Sequence, residues 1–90
     1  MDYLVKENAL IIKLDSKASA SLVFHVEGKR FYIDSTYTPE AYRGRGIGGQ
    51  LMQAAMDYAK SRDLKIVPVC SFSVEYFKKH TEYADQLLKS

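Results

Sequence analysis

Cysteine is all but missing from this sequence. Cys70 is the only one in 90 residues, which excludes an internal disulfide and a cysteine-based metal cluster and leaves a free thiol. Histidine is nearly as scarce: His25 and His80 are too few and too isolated to suggest a zinc site, and no metal is expected. An excess of one charge is missing as well. Thirteen Lys plus Arg against 11 Asp plus Glu leave a net charge of +2. That is too little to imply nucleic acid or an anionic membrane as a bulk partner, so any basic function must be local. No run approaches the length of a membrane span, and the start, Met1 to Glu7, lacks a basic region followed by an apolar one. A cytoplasmic protein without a membrane partner is expected. Repeats, linkers and low-complexity segments are also lacking.

What is present is an ordinary globular composition, 47% hydrophobic and 27% charged, which argues against disorder. A chain of this length is expected to form one small domain, residues 1–90, with a thin core and modest stability or help from a partner. A monomer or weak homodimer would suit it.

Asn8 to Leu14 reads as a first strand, followed by a turn at Asp15-Ser16-Lys17. Ala20, Leu22, Phe24 and Val26 then alternate with Ser19, Ser21, Val23 and His25, the period of a half-buried strand that leaves His25 on the polar side. Glu27-Gly28-Lys29-Arg30 is a hairpin turn, and Phe31 to Tyr37 returns as a third antiparallel strand. Thr38-Pro39-Glu40 ends it, because proline cannot donate to a ladder.

Four of the five glycines then fall within Tyr42-Arg43-Gly44-Arg45-Gly46-Ile47-Gly48-Gly49-Gln50-Leu51. A loop without β-carbons lets backbone N–H groups converge, and the following helix adds the positive end of its dipole, which together make a seat for phosphate. The same glycines also suit a tight strand-to-helix connection that needs only close packing. From Ile47 the apolar residues Ile47, Leu51, Ala54, Ala55, Tyr58 and Ala59 trace one helical face, with Gln50, Gln53, Asp57 and Lys60 toward water. Ser61-Arg62-Asp63 closes the helix. Leu64 to Val69 reads as a strand parallel to the one before the loop, with Pro68 marking an edge or bulge. Ser71 would cap a second helix to Lys79, and Thr81 a short final helix, Glu82 to Lys89.

The order β-β-β, glycine loop, helix, β, helix resembles the acetyl-coenzyme A dependent N-acetyltransferase superfamily known as GNAT, and the motif agrees with the order. Arg43-Gly44-Arg45-Gly46-Ile47-Gly48 matches its cofactor signature in the right place between strand and helix. Pro68-Val69-Cys70-Ser71-Phe72 and His80-Thr81-Glu82-Tyr83 are similar to the small, single-domain YjdJ-like branch. The resemblance implies a truncated α+β GNAT fold. Its mixed, mostly antiparallel sheet would hold three N-terminal strands plus one parallel strand after the cofactor helix, with helices packed on it. It also implies acetyl-coenzyme A as cosubstrate, with the pyrophosphate over the N–H groups of Arg45 to Gly49. Tyr37, Thr38, Arg43, Gly44, Arg45, Gly46, Ile47, Gly48, Gly49, Cys70, Ser71 and Phe77 would be the residues that bind it. Strands Ile33 to Thr38 and Lys65 to Val69 would splay so that the pantetheine arm pairs with open backbone.

Cys70 stands where that gap emerges, just before a helix start that favours thiolate. It could return a proton to the departing thiolate, or take the acetyl group and pass it on; it could also be simply a small buried residue. Larger superfamily members carry Asn at the end of this strand and an acidic Tyr seven residues later. This sequence has Cys70 and Phe77 at those positions, which leaves Tyr76 as the nearest substitute. His80 could assist proton transfer or merely sit at a helix C-terminus. For the base, the third strand offers Asp34 and Tyr37, with Ser35 between, or water serves. With only about eight residues before its first strand, the acceptor side should be open and suit an amine on a peptide or protein, or a site completed by another subunit. The resemblance thus implies acetyl transfer from acetyl-coenzyme A to an amine. The alternatives are a coenzyme A binding module or sensor with little activity and, from Arg43 and Arg45, a nucleic-acid clamp, which the small net charge disfavours.

Overall fold

The structure, a computed structural model, describes residues 2–89. Five strands lie side by side in chain order: β1 (Leu4–Lys6), β2 (Ala9–Lys13), β3 (Ser19–Glu27), β4 (Arg30–Tyr37) and β5 (Lys65–Pro68). β1 to β4 pair antiparallel. β5 runs parallel to β4, because α1 (Ile47–Ser61) carries the chain back across the sheet between them. α2 (Ser71–Lys79) follows, and two short 3-10 turns, Glu40–Tyr42 and Thr81–Gln86, complete the order. This is the mixed α+β architecture implied by the resemblance.

One face of the sheet is built from Leu10, Ile12, Ala20, Leu22, Phe24, Phe31, Ile33 and Ile66, all buried. α1 covers it with Ile47, Leu51, Met52, Ala54, Ala55, Met56 and Ala59. The alanines let the helix settle close to the sheet, where two rings already fill the space. Phe24 and Phe31 stack with centroids 4.6 Å apart, and Tyr58 lies over both, at 5.3 and 5.7 Å. Fully burying each large side chain contributes about 1.5–3 kcal/mol, so this one layer supplies most of the stabilisation. Met52 and Met56 widen the buried stripe beyond the face traced in the sequence.

Four details differ from the sequence reading. First, β1 precedes the expected first strand. Its three residues are all exposed and show no alternation, and its turn rests on Glu7 at φ +46, which carries no glycine signal. Second, Gln53 does not face water, because its amide donates to the Tyr83 hydroxyl at 2.9 Å and tethers the chain end to α1. Third, Cys70 rather than Ser71 is the N-cap of α2, extended at φ −68°, ψ 152°, and Ser71 is the first helical residue. Fourth, the final segment is a 3-10 turn over Thr81–Gln86. Leu87 then bridges Ile66 in parallel, and the Leu88 N–H donates to the Ile66 carbonyl at 2.9 Å. The outer edge of β5 would otherwise leave that carbonyl unpaired, and the chain end satisfies it.

The register between β3 and β4 slips once. Phe24 opposes Ile33 but Val23 opposes Ser35, so Asp34 is the extra residue of a bulge.

Candidate functional site

At Ile33 the sheet opens. Its carbonyl accepts the N–H groups of both Val69 and Cys70, each at 3.1 Å, and beyond it no β5 residue pairs with β4. β4 runs on through Tyr37 paired only with β3, while the segment after β5 turns into α2, so the gap exposes strand backbone on the β5 side. Pro68 ends the pairing physically, since it has no N–H to continue the ladder.

The glycine loop closes one end of this gap. Gly44 and Gly46 both adopt φ +79°, and Gly46 is the N-cap of α1. That left-handed turn aims the first helical N–H groups out of the helix: the first intrahelical bond is Gln50 N–H to the Gly46 carbonyl at 3.2 Å, so Ile47, Gly48 and Gly49 have no acceptor within the helix. The first turn contains no acidic residue to repel an anion. A β-carbon at Gly44 or Gly46 would meet nothing within 4 Å, whereas one at Gly48 would stand 2.4 Å from the Phe72 ring. Gly48 is thus small because an aromatic side chain rests on the helix start.

Around these groups lies a groove of about 410 Å³, bounded by the end of β4, the loop, the first turn of α1 and Phe72. Of the residues expected at the cofactor, Thr38, Arg43, Gly44, Gly46, Ile47, Gly48 and Gly49 line it. Arg43 Nε donates to the Thr38 carbonyl at 3.0 Å, which turns the guanidinium along the rim. Arg45 stacks on Tyr42 at 5.3 Å, and Tyr42 donates in turn to Asp15 in the β2–β3 turn. Asp15 is fixed by the N–H groups of Lys17 and Ala18, at 2.7 and 2.8 Å. The Tyr42 hydrogen bond holds the Asp15 carboxyl below its ordinary value, and the same bond pushes the Tyr42 phenol up.

The other expected residues lie elsewhere. Tyr37 pairs with Ser21 and points from the opposite sheet face, 55% exposed. Ser71 is exposed, and Phe77 is buried in the core. Three groove residues escaped the sequence reading: Thr36, Tyr42 and Phe72. Thr36 was available from strand alternation with Thr38; Phe72 could be placed only by knowing that α2 returns to the start of α1.

Cys70 is partly buried against the core, beside the gap. Its thiol donates to Ser73 Oγ at 3.3 Å, and Ser73, fully buried, donates to the Cys70 carbonyl at 2.9 Å. Tyr76 faces α1 and the chain end: it stacks with Tyr83, meets His80 at 4.2 Å, and lies 3.5 Å from Gln53 Nε2. Burial pushes its phenol up. His80 is the C-cap of α2 and sits 3.5 Å from Glu82. The structure therefore brings Cys70 to the gap and gathers Tyr76 and His80 in an aromatic cluster between α2, α1 and the chain end, which adjoins the groove where Tyr76 stacks on Phe72 at 6.2 Å.

A seat of free N–H groups beside an unpaired strand edge is the arrangement that a family comparison can decide. A model of the GCN5-related N-acetyl-transferase family matches residues 9–86. The chain belongs to that family. Protein NATD1 of Danio rerio is 34% identical over 87 residues, covering 92% of this chain and 79% of that protein. Protein NATD1 of Mus musculus is 37% identical over 71 residues, covering 76% of this chain and 64% of that protein, so the match spans less than two thirds of the mouse relative. The solution structure of a GCN5-like candidate N-acetyltransferase from Staphylococcus aureus superposes with a TM-score of 0.73 at 26% identity, covering 99% of this chain and 89% of that one. Family and fold together support an enzyme, an N-acetyltransferase. Among the described residues no helix is long and apolar enough to cross a membrane.

The left-handed loop positions give a stability prediction. Gly46→Ala meets no steric neighbour but forces an L-residue to φ +79°, and it should cost about 1–2 kcal/mol. Gly48→Ala adds helix propensity while displacing the exposed edge of Phe72, and should change stability by less than about 1 kcal/mol. Urea denaturation of the two variants separates strain at the turn from crowding at the helix start.

Proposed function

We propose that this chain transfers the acetyl group of acetyl-coenzyme A to an amine, with a peptide or protein as the amine carrier. The observation that carries the reading is the groove that joins the free N–H groups of Ile47 to Gly49 to the end of β4, a strand whose β5-side edge is unpaired beyond Ile33, the residue whose carbonyl accepts the Cys70 N–H. Phosphate would sit on the helix start, where N–H groups and dipole act together. The Arg43 guanidinium, already turned along the rim, adds charge. An extended pantetheine arm carries amide groups that can pair with open β4 backbone as an added strand would. The thioester then falls near the Ile33 carbonyl, where Cys70 is held.

At that point two roles suit Cys70. As an acid it hands its proton to the leaving sulfur; as a nucleophile it accepts the acetyl group and releases it to the amine. The Ser73 hydroxyl orients the thiol in either case. The Tyr76 and His80 rings lie on each other, and the Gln53 amide reaches the Tyr76 hydroxyl at 3.5 Å, so both pack α2 against α1, and the phenol, pushed up by burial, stays protonated as a second candidate donor.

Arg43→Ala should weaken coenzyme A binding by roughly tenfold, as expected for one exposed charge-assisted contact. Titration calorimetry checks it. The difference between wild type and variant should shrink as salt rises, because the contact is open to solvent.

A further inference from the structure

We infer that Phe72 and Lys79, both on α2, hold the adenosine 3′-phosphate end of coenzyme A, with the base on the Phe72 ring and the 3′-phosphate on the Lys79 ammonium; this rests on the acyltransfer reading above. Next to the phosphate groove lies a second hollow of about 270 Å³, lined by Phe72, Glu75, Tyr76, Lys79 and His80. Phe72 lines both and is the wall between them.

The spacing on α2 makes this hollow. Positions 72, 75, 76 and 79 fall at i, i+3, i+4 and i+7, so one face of the helix carries all four. Two glycines bring that face against the phosphate seat. The Phe72 ring fills the place a β-carbon on Gly48 would take, and Tyr76 lies 3.7 Å from the corresponding point on Gly49. Gly48 and Gly49 are also two of the three residues whose N–H groups have no acceptor at the start of α1. A phosphate seated on those groups is therefore separated from the hollow by the Phe72 ring alone.

The ring has a firm backing and an open side. Tyr76 lies behind it with centroids 6.2 Å apart, and Tyr76 is itself held by His80 at 4.2 Å and by the Gln53 amide at 3.5 Å. Phe72 is nevertheless 43% exposed, which leaves an aromatic surface for a flat partner to stack on.

The charges favour an anion at the far end. Lys78 pairs with Glu75 at 3.6 Å and so offsets the carboxylate that borders the hollow. Lys79 has no carboxylate at ion-pair distance among the described residues. Seven residues separate it from Phe72, about 10 Å along the helix. Helical side chains lean toward the N-terminus, which carries the ammonium back toward the ring.

Coenzyme A has the matching groups in the matching order. Beyond its pyrophosphate come a ribose bearing the 3′-phosphate and a purine with a π-face. The pantetheine arm on the other side of the pyrophosphate has neither. The subsite thus selects thioesters of coenzyme A over the same thioester on a carrier that ends in phosphopantetheine and lacks adenosine.

Titration calorimetry with coenzyme A, 3′-dephospho-coenzyme A and phosphopantetheine tests this without turnover. Wild type should bind coenzyme A about fivefold more tightly than the dephospho form, the size expected of one exposed ion pair. That preference should shrink as salt rises and disappear in Lys79→Ala. Phe72→Leu keeps an apolar side chain on Gly48 but loses the planar face. It should weaken coenzyme A and dephospho-coenzyme A alike by about fivefold and leave phosphopantetheine unchanged. No preference in wild type, a preference that survives Lys79→Ala, or a Phe72→Leu loss that extends equally to phosphopantetheine would overturn the inference and leave the phosphate seat in place. If wild type binds none of the three, the acyltransfer reading fails first and the subsite with it.

Discussion

Phe31→Ala should lower the unfolding free energy by about 3–5 kcal/mol. For 90 residues the whole stability is on the order of 5–13 kcal/mol, so this one change removes a large share of it. Phe31 is fully buried, stacks on Phe24 and lies beneath Tyr58, and α1 lies across the sheet above it. The alanines of α1 cannot expand into the space, because the helix is already as close to the sheet as their small side chains allow. Urea denaturation should show the midpoint falling with an unchanged slope. Val26→Ala, at the exposed end of β3, is the control: Val26 is 44% exposed and its truncation should shift the midpoint little. A Phe31→Ala protein as stable as wild type would show that the core is organised elsewhere.

Cys70→Ala should reduce acetyl transfer by about 10²–10⁴-fold, the range for loss of a proton donor at the leaving group. Coenzyme A affinity should stay within about threefold, because the groove on the N–H groups of Ile47 to Gly49 does not include the thiol. The variant also separates two routes that the geometry alone leaves equal. An acetyl adduct on wild type after incubation with acetyl-coenzyme A, absent in Cys70→Ala, identifies a covalent route; no adduct with the same rate loss identifies the acid. Full activity in Cys70→Ala would remove the thiol from the chemistry and leave it as the small, partly buried N-cap of α2. Ser73→Ala should produce a smaller loss, since it orients the thiol without touching the reacting atoms.

Much of this could be read in the residues. Alternation in β3 and β4, the hairpin at Glu27 to Arg30, the apolar stripe of α1 and the glycine cluster each have a local physical cause, and each falls where expected. Features that depend on distant partners were not readable. β1 is too short and too exposed to carry a pattern. The chain end becomes extended at Leu87 only because Ile66 offers a free carbonyl. Phe72 joins the groove because Gly48 leaves room for its ring, a relation between residues 24 positions apart. The bulge at Asp34 is invisible in a run of strand-forming residues, yet it turns a polar-face histidine into one half of a carboxylate–imidazole pair. The aromatic cluster at Tyr76 follows the same rule: Gln53, Tyr83 and His80 come from three different segments.

The most direct measurement is mass spectrometry of a blocked lysyl peptide and a set of other amines after incubation with the protein and acetyl-coenzyme A bearing an isotopically labelled acetyl group. The account predicts labelled acetyl on at least one amine, dependent on the protein and strongly reduced by Cys70→Ala. Coenzyme A that raises the melting temperature while every amine stays unmodified would contradict it, and would leave a coenzyme A binding protein in place of a transferase.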